Sequence, residues 1–341
     1  MTKTGELRLG LLGAGRIGRV HGDAVARVPG ARLVAVADAM PEAADAIAAR
    51  HGAERRAIEA IIGADDVDAV LVCTPTDMHA DLIEAGVRAG KAVFCEKPIA
   101  LDLERTRACL GVVREAGGTL MLGFNRRADH HFRALKAAVE GGATGRPELI
   151  EITSRDPEAP PLDYIRRSGG LFKDMTIHDL DVARWLMGEE FVAVTARGAA
   201  LTSDHVAEAD DVDTATLILE TADGRQAVIT NSRRATYGYD QRVEVHGAAG
   251  CAQLANPAPH LVTAANGGGF VASPLHDFFM TRYADAYATE IAAFCDFVAK
   301  GEAPTPSGED GLAALVLAEA AGRSMREGRT VRIEELTGGM A

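Results

Sequence analysis

Positive charge is in short supply in this 341-residue chain: 36 Lys and Arg stand against 49 Asp and Glu, a formal charge of -13. A surface of that sign repels phosphate backbones and anionic lipid, which argues against nucleic acid and membrane as partners. Cysteine is also scarce. The five residues (Cys73, Cys95, Cys109, Cys251, Cys295) are an odd number without a C-x-x-C pair or zinc spacing. That pattern predicts a reduced, cytoplasmic protein with buried thiols and no structural metal. No run of eighteen uncharged apolar residues occurs, and mean hydropathy is +0.01, so a membrane-spanning helix is excluded. The opening MTKTGELRLG lacks the apolar core of a signal peptide and reads as a short polar lead into a strand. No repeat or low-complexity tract is visible. The chain is long enough for one large or two medium domains with a core of ordinary size.

Leu7 to Leu12 (LRLGLL) reads as a strand buried on both faces. It runs into Gly13-Ala14-Gly15-Arg16-Ile17-Gly18, then a helical pattern through Val28, then a second apolar run, Leu33 to Ala37, that ends on Asp38. G-x-G-x-x-G alone is a weak signal in a chain with 36 glycines. Strand, glycine turn, helix, strand and acid in this order make it a dinucleotide-binding fingerprint. Gly13 permits the tight turn, Gly15 lets backbone approach a pyrophosphate, and Gly18 lets helix pack on strand. The helix start, with Arg16 and Ile17, offers N–H groups and positive dipole to the phosphates. Asp38 is placed to accept from the adenosine ribose and to repel a 2′-phosphate, and no arginine follows at Ala39 or Met40. The cofactor predicted is therefore NAD.

Further βα units follow. Ala69 to Cys73 closes on Thr74-Pro75-Thr76, with a helix from about Met78 to Ala89 carrying His79; Ala92 to Cys95 closes on Glu96-Lys97-Pro98; Thr119 to Gly123 closes on Phe124-Asn125-Arg126-Arg127. Ligands of open parallel sheets sit beyond such strand ends, so Thr74, Pro75, His79, Glu96, Lys97 and Asn125 become candidates. Pro98 restricts Lys97 to extended backbone. Physics alone leaves Lys97 open between a functional amine and a lysine snorkelling from a strand exit.

After Asn125 the texture changes. A helix is expected from His131 to Val139, a strand from Glu148 to Ser154, and a helix through Asp174, His178 and Trp185 to a stop at Gly188. If that helix has begun by Asp174, Asp174 and His178 share a face, and the acid can fix the tautomer of the imidazole and favour its protonated form. A surface histidine below a helix-start acid is the plainer alternative. From Asp213 the turn spacing predicts antiparallel strands: Thr214 to Thr221, Ala227 to Ser232 and Gln241 to Val245. An open sheet of this kind calls for a partner, so a homo-oligomer joined sheet to sheet is expected. Helical patterns from Tyr283 to Val298 and from Asp310 to Met325 complete the chain, the last returning to brace the first domain. His130-His131 is an adjacent pair without a cysteine at ligand spacing, so no metal site is expected.

With Gly13 to Gly18, Glu96-Lys97-Pro98 and Asp174-x-x-x-His178 in this order, the chain resembles the Gfo/Idh/MocA oxidoreductase family over nearly its whole length, most closely its inositol-acting members. The nearer match lies in Thr153 to Pro157, Ser168 to Asp181 and Asn231 to Val245. The resemblance implies an α/β protein: a doubly wound Rossmann domain with a parallel sheet (1–124), a substrate and oligomerisation domain with an open, mostly antiparallel sheet (125–305), and a C-terminal helix and tail packing back (306–341). It implies catalytic roles for Lys97, Asp174 and His178, substrate contacts at Asn125, Arg127, Asp156, Tyr237 and Tyr239, and Tyr283 closing over the nicotinamide side. Arg126 falls where members are expected to vary.

The activity implied is NAD-dependent oxidation of a ring hydroxyl of a small neutral polyol, myo-inositol to 2-keto-inositol first among the options, in a cytoplasmic homotetramer. Groups that both donate and accept suit such a substrate. A glucose- or aldose-type dehydrogenase on the same frame is the alternative. A non-catalytic NAD-binding regulator is a third reading, but it would have no need of Lys97, Asp174 and His178 together.

Overall fold

The apolar runs near the start of the chain form the strands of one parallel sheet. In the computed structural model, which describes residues 6–338, β1 (Leu7–Leu12), β2 (Ala31–Ala37), β3 (Glu54–Arg55), β4 (Ala69–Val72), β5 (Ala92–Glu96) and β6 (Leu120–Gly123) lie in the order β3-β2-β1-β4-β5-β6. The polar lead at residues 1–5 and the end of the tail at 339–341 lie outside the described residues. All five neighbouring pairs are parallel, and β4 is buried throughout, as a strand covered on both faces must be. The crossovers are α1 (Arg16–Val25), α2 (Pro41–His51), α3 (Ile58–Ile62), α4 (His79–Arg88) and α5 (Leu103–Glu115). Strand order reverses between β1 and β4, which opens a crevice at the carboxyl ends of these two strands. Helix α1 stops three residues short of the expected Val28: Arg27 and Val28 turn back onto the carbonyls of Ala24 and Val25.

A second sheet follows. Helix α6 (His130–Glu140) precedes β7 (Pro147–Arg155) and α7 (Leu162–Ser168); a π-helical turn (Phe172–Thr176) then leads into α8 (Ile177–Met187). Next come β8 (Phe191–Ala199), α9 (Asp204–Glu208), β9 (Thr214–Thr221), β10 (Gln226–Ser232), β11 (Asp240–Gly247) and β12 (Gly250–Leu254), a hairpin of β13 (Ala264–Asn266) with β14 (Gly269–Val271), and α10 (Phe279–Arg282). With β15 (Val331–Arg332), the order is β12-β11-β7-β10-β9-β8-β15. Every pair is antiparallel except β7 with β10, which run parallel in the middle of the sheet. Alternate residues of β9, β10 and β11 are buried, so one face of the sheet is covered and the other is open. Helix α8 is tied to the covered face through one side chain of β10. Asn231 donates to Asp179 Oδ2 (2.8 Å) and accepts from Thr176 Oγ1 (2.7 Å), and all three residues are buried.

Helices α11 (Ala284–Lys300), α12 (Gly308–Glu327) and α13 (Glu334–Thr337) close the chain. Two compact units result: residues 6–129 with 283–315, and residues 130–282 with 316–338. This differs from the division at 125 and 306 read from the sequence. The part that packs with the first unit is α11 and the start of α12, because their apolar side chains complete its core: Phe294 meets Phe94 edge-on at 5.8 Å and Tyr287 meets His21 at 5.4 Å. The cysteines are all free, but only Cys73, Cys95 and Cys109 are buried; Cys251 on the short strand β12 is exposed and Cys295 is half-buried, which corrects the expectation of five buried thiols. No helix among the described residues is long and apolar enough to cross a membrane.

Glu290 of α11 is fully buried, and neither carboxyl oxygen has a hydrogen-bond partner. Burial pushes its pKa well above the ordinary 4.5, with the Glu96 carboxylate adding to the rise. The folded state therefore holds a proton that the unfolded chain releases, so this residue costs stability increasingly as pH rises above the unfolded value. Glu290→Gln should leave the thermal midpoint nearly unchanged at pH 5 and raise it at pH 8; an equal effect at both pH values in scanning calorimetry would contradict a buried proton. Asn231→Ala should remove the tie between β10 and α8 at a cost of about 1–3 kcal/mol, read as faster amide exchange in α8. Unaltered protection there would show that the helix is held by other contacts.

Candidate active site

The glycine turn is shaped by backbone crowding at two of its three glycines and by nothing in the protein at the third. Gly13 has φ +99°, and a Cβ there would lie 2.5 Å from the Cys73 carbonyl oxygen. A Cβ on Gly18 would lie 2.0 Å from the Gly13 carbonyl oxygen. Above Gly15 no heavy atom lies within 4 Å, so its missing side chain leaves room for something other than protein. Gly15 caps α1 without a side-chain bond, and the first turn, Arg16 and Ile17 included, carries no acid. These N–H groups and the dipole behind them fit a pyrophosphate.

Asp38, half-buried at the end of β2, accepts from the Ala14 N–H through Oδ2 (2.5 Å) and from the Met40 N–H through Oδ1 (2.8 Å). Each oxygen keeps a second lone pair for a ribose hydroxyl. At the end of β4 the Thr74 hydroxyl is buried without a hydrogen-bond partner, next to exposed Pro75. An orphaned hydroxyl beside a glycine turn again fits a dinucleotide.

Lys97 leaves β5 half-buried, one residue after Glu96, and the Lys97–Pro98 peptide bond is cis. Glu96 Oε1 lies 2.6 Å from Nε2 of His21, whose side chain is fully buried. The absence of a side chain at Gly123 on neighbouring β6 makes room for this carboxylate.

Four residues placed at the site from sequence take different or additional duties in the first unit. His79, expected to touch cofactor, has Nδ1 2.8 Å from the Pro98 carbonyl oxygen and Nε2 2.8 Å from that of Thr74. Both ring nitrogens are thus engaged, so His79 braces the two loops; burial pushes its pKa down, against two carbonyls that favour a proton. Arg127 is paired with Asp310 (3.2 Å), which also receives the Ser307 N–H at the start of α12. Asn125 is buried in a short turn after β6, as is Arg126. Tyr283, expected to close over a nicotinamide, is 1% exposed and starts α11 as part of the core.

The second unit gathers its polar residues at the carboxyl ends of β7 and β10, which coincide because these two strands are parallel. Asp156 follows β7, and its N–H donates to the Ser232 carbonyl (2.9 Å). Arg233 follows β10. Tyr237 lies on the loop to β11; its hydroxyl accepts from Arg155 (2.7 Å) and donates to Asp240 (2.8 Å). Tyr239 is buried edge-on against Phe278 at 5.9 Å. Asp174 and His178 are both half-buried.

The expected α-helical register from Asp174 to His178 is broken, since Asp174 sits in the π-helical turn and His178 in α8. Two donors missed from the sequence hold Asp174: the Tyr164 hydroxyl on Oδ1 (2.9 Å) and Arg233 Nη2 on Oδ2 (3.0 Å). Arg233-Arg234 directly after an apolar strand was the available signal, but nothing in it separates a buried arginine from an exposed one.

Residues 7–124 match the family model of an oxidoreductase family with an NAD-binding Rossmann fold, and residues 132–253 match the GFO/IDH/MocA C-terminal domain. An inositol 2-dehydrogenase of Rhizobium meliloti is 59% identical over 327 residues, which is 96% of this chain and 99% of that protein. The crystal structure of a myo-inositol dehydrogenase from Corynebacterium glutamicum is similar with a TM-score of 0.92 at 42% identity, covering 96% of this chain and 98% of that one. A scyllo-inositol dehydrogenase from Lactobacillus casei, solved with bound NAD(H) and scyllo-inositol, has a TM-score of 0.90 at 30% identity over 96% and 99% of the two chains. Matched along both sheets and over nearly all its length, the chain belongs to the GFO/IDH/MocA family of oxidoreductases.

Proposed function

We propose that this oxidoreductase uses NAD to oxidise one ring hydroxyl of a cyclic polyol to the ketone, with myo-inositol as substrate and 2-keto-inositol as product. The observation that carries this reading is that arginines among or beside the candidate residues are already paired. Arg127 is matched by Asp310, Arg155 by Asp240 (3.8 Å) and Arg233 by Asp174. Cations already neutralised are poor anchors for a carboxylate or phosphate, whereas the surrounding carboxylates, amide and phenols pair hydroxyls well. A site built to satisfy hydroxyls discriminates strongly against analogues lacking them. The relatives named for myo- and scyllo-inositol support the same substrate class.

NAD, when bound on the glycine turn, supplies the hydride acceptor. Loss of hydride from a carbinol leaves a protonated ketone unless the hydroxyl proton is also removed. His178 takes that proton, and Asp174 holds the ring and stabilises the positive charge it acquires. Lys97 donates a hydrogen bond to the oxygen as negative charge develops on it. Asp38 favours NAD over NADP, because a second negative group beside its carboxylate is repelled.

The open face of the second sheet, with Thr216 and the 38%-exposed Ile218 among its outward residues, supports a homo-oligomer joined sheet to sheet; a homotetramer in the cytoplasm is the assembly proposed. Light scattering of the purified protein tests the assembly, and a monomer would remove it.

Lys97→Ala and His178→Ala should each lower kcat by at least about a hundredfold with NAD binding intact; near-normal turnover in either would cancel the role assigned. Asp38→Ala should weaken NAD binding and narrow the ratio of kcat/KM for NAD over NADP, and an unchanged ratio would refute its part in cofactor choice. A panel of inositol isomers and aldoses, followed by NADH absorbance, should show inositols turned over with the higher kcat/KM. Faster oxidation of glucose would shift the assignment to a sugar dehydrogenase.

A further inference from the structure

Arg233 is the largest of the fully buried side chains, 1% exposed. Its backbone N–H donates to the Asp213 carbonyl (2.8 Å), which fixes its position just beyond β10. Its Nη2 donates to Asp174 Oδ2 at 3.0 Å, while Nε and Nη1 are buried without a hydrogen-bond partner among the described residues. A guanidinium stays charged at every pH the protein will meet. Burying that charge is tolerable only beside an anion, and the carboxylate in contact with it is the one assigned to the proton-transferring histidine.

We propose that Arg233 is a positioning residue that holds Asp174 as an oriented anion and thereby sets the pH at which His178 can accept the substrate proton. This rests on the reading of His178 as base and Asp174 as its partner.

The charge argument has a definite sign. An anion beside an imidazole favours its protonated form, and a cation on that anion weakens the effect. With Arg233 in place, the Asp174 carboxylate has its plane fixed by Nη2 on one oxygen and the Tyr164 hydroxyl on the other. It stabilises the imidazolium formed in the reaction without making the free imidazole so basic that it is already protonated. Without Arg233, the field of Asp174 on His178 is stronger, and a larger share of the enzyme rests in the proton-loaded, inactive form.

Neighbouring titratable groups have duties of their own. Tyr164, from α7, donates to Asp174 as a neutral hydroxyl. Asp211, from the loop before β9, uses both oxygens on the Leu171 N–H (3.1 and 3.0 Å). Its pKa is raised by burial, against the Leu171 and Val212 N–H groups and Arg233, which favour the carboxylate. Lys173, the chain neighbour of Asp174, is committed to Glu319 of α12 at 2.7 Å. Arg233 is thus a cation bonded to Asp174, and among the described residues its Nε and Nη1 donate to no competing carboxylate.

The test compares Arg233→Gln, Arg233→Lys and Tyr164→Phe in the full-length protein, using the pH profile of kcat/KM for myo-inositol, NAD affinity by calorimetry, and thermal midpoint. Arg233→Gln should lose about 10- to 100-fold in kcat/KM at the wild-type optimum and move the acid limb upward by about one pH unit, with NAD affinity unchanged. Arg233→Lys, which keeps the charge but not the fork, should return the limb towards wild type and recover part of the rate. Tyr164→Phe, a change at a half-exposed ring, should move the limb in the same direction by less. A merely structural role would lower the midpoint and the active fraction without moving the limb. If Arg233→Gln does not fold, an unmoved limb in Tyr164→Phe overturns the proposal, as does an unmoved limb in folded Arg233→Gln. His178→Asn separates the two levels: loss of turnover there with unmoved limbs elsewhere sinks the role of Arg233 alone, whereas retained turnover sinks the base assignment with it.

Discussion

One buried amide holds together the second half of the molecule. Asn231, in the last turn-ward residues of a central strand, bonds at once to Thr176 in the π-helical turn and to Asp179 one residue beyond His178. Neutral amides suit this place because they donate and accept from one rigid plane, so a buried acid and a buried hydroxyl are satisfied together. The segment carrying Asp174 and His178 is thereby pinned, at its middle and just beyond its end, to the strand that delivers Arg233. The parallel pairing of β7 with β10 then adds Asp156 at the same edge. Groups drawn from three stretches of sequence depend on the register of these two strands, and a one-residue slip would turn each strand's side chains to the opposite face.

The first unit uses the same device in another form: carboxylates are placed by backbone or ring N–H groups before any ligand arrives. Asp38 is held by Ala14 and Met40, and Glu96 by His21. Preorganised anions of this sort do not have to be reoriented during binding. Glu290 is the exception, a buried acid with no donor, and it sits opposite the His21–Glu96 pair. A neutral carboxyl there avoids a second buried negative charge near Glu96.

Much of this architecture could be read in the chain, and the parts that could not have a common physical cause. Gly13 and Gly18 were readable because backbone contacts leave no room for a Cβ, a constraint written directly into residue identity. Strands β1, β4 and β5 were readable from apolar runs of the right length. The π-helical turn was not, because one extra residue in a turn alters no hydrophobic period strongly enough to register over five positions. His79 and Arg127 carry the right chemistry for a ligand contact, and only the geometry shows that Pro98, Thr74 and Asp310 use it. Arg233 was invisible for the opposite reason: arginine after a strand is ordinarily solvated, and its burial depends on an acid 59 positions away in sequence.

The return of residues 283–315 to the first unit has a bearing on how the protein is made. Phe94 and His21 emerge early from the ribosome, but the aromatic rings that cover them, Phe294 and Tyr287, belong to a helix synthesised after the whole second sheet. Until then the nucleotide-binding sheet has an uncovered apolar flank, while the intervening strands can already pair locally. Such long-range closure slows assembly and leaves sticky intermediates exposed. Nascent chains halted before this helix would be natural clients for chaperones, and the order of maturation would run from the middle of the polypeptide outward.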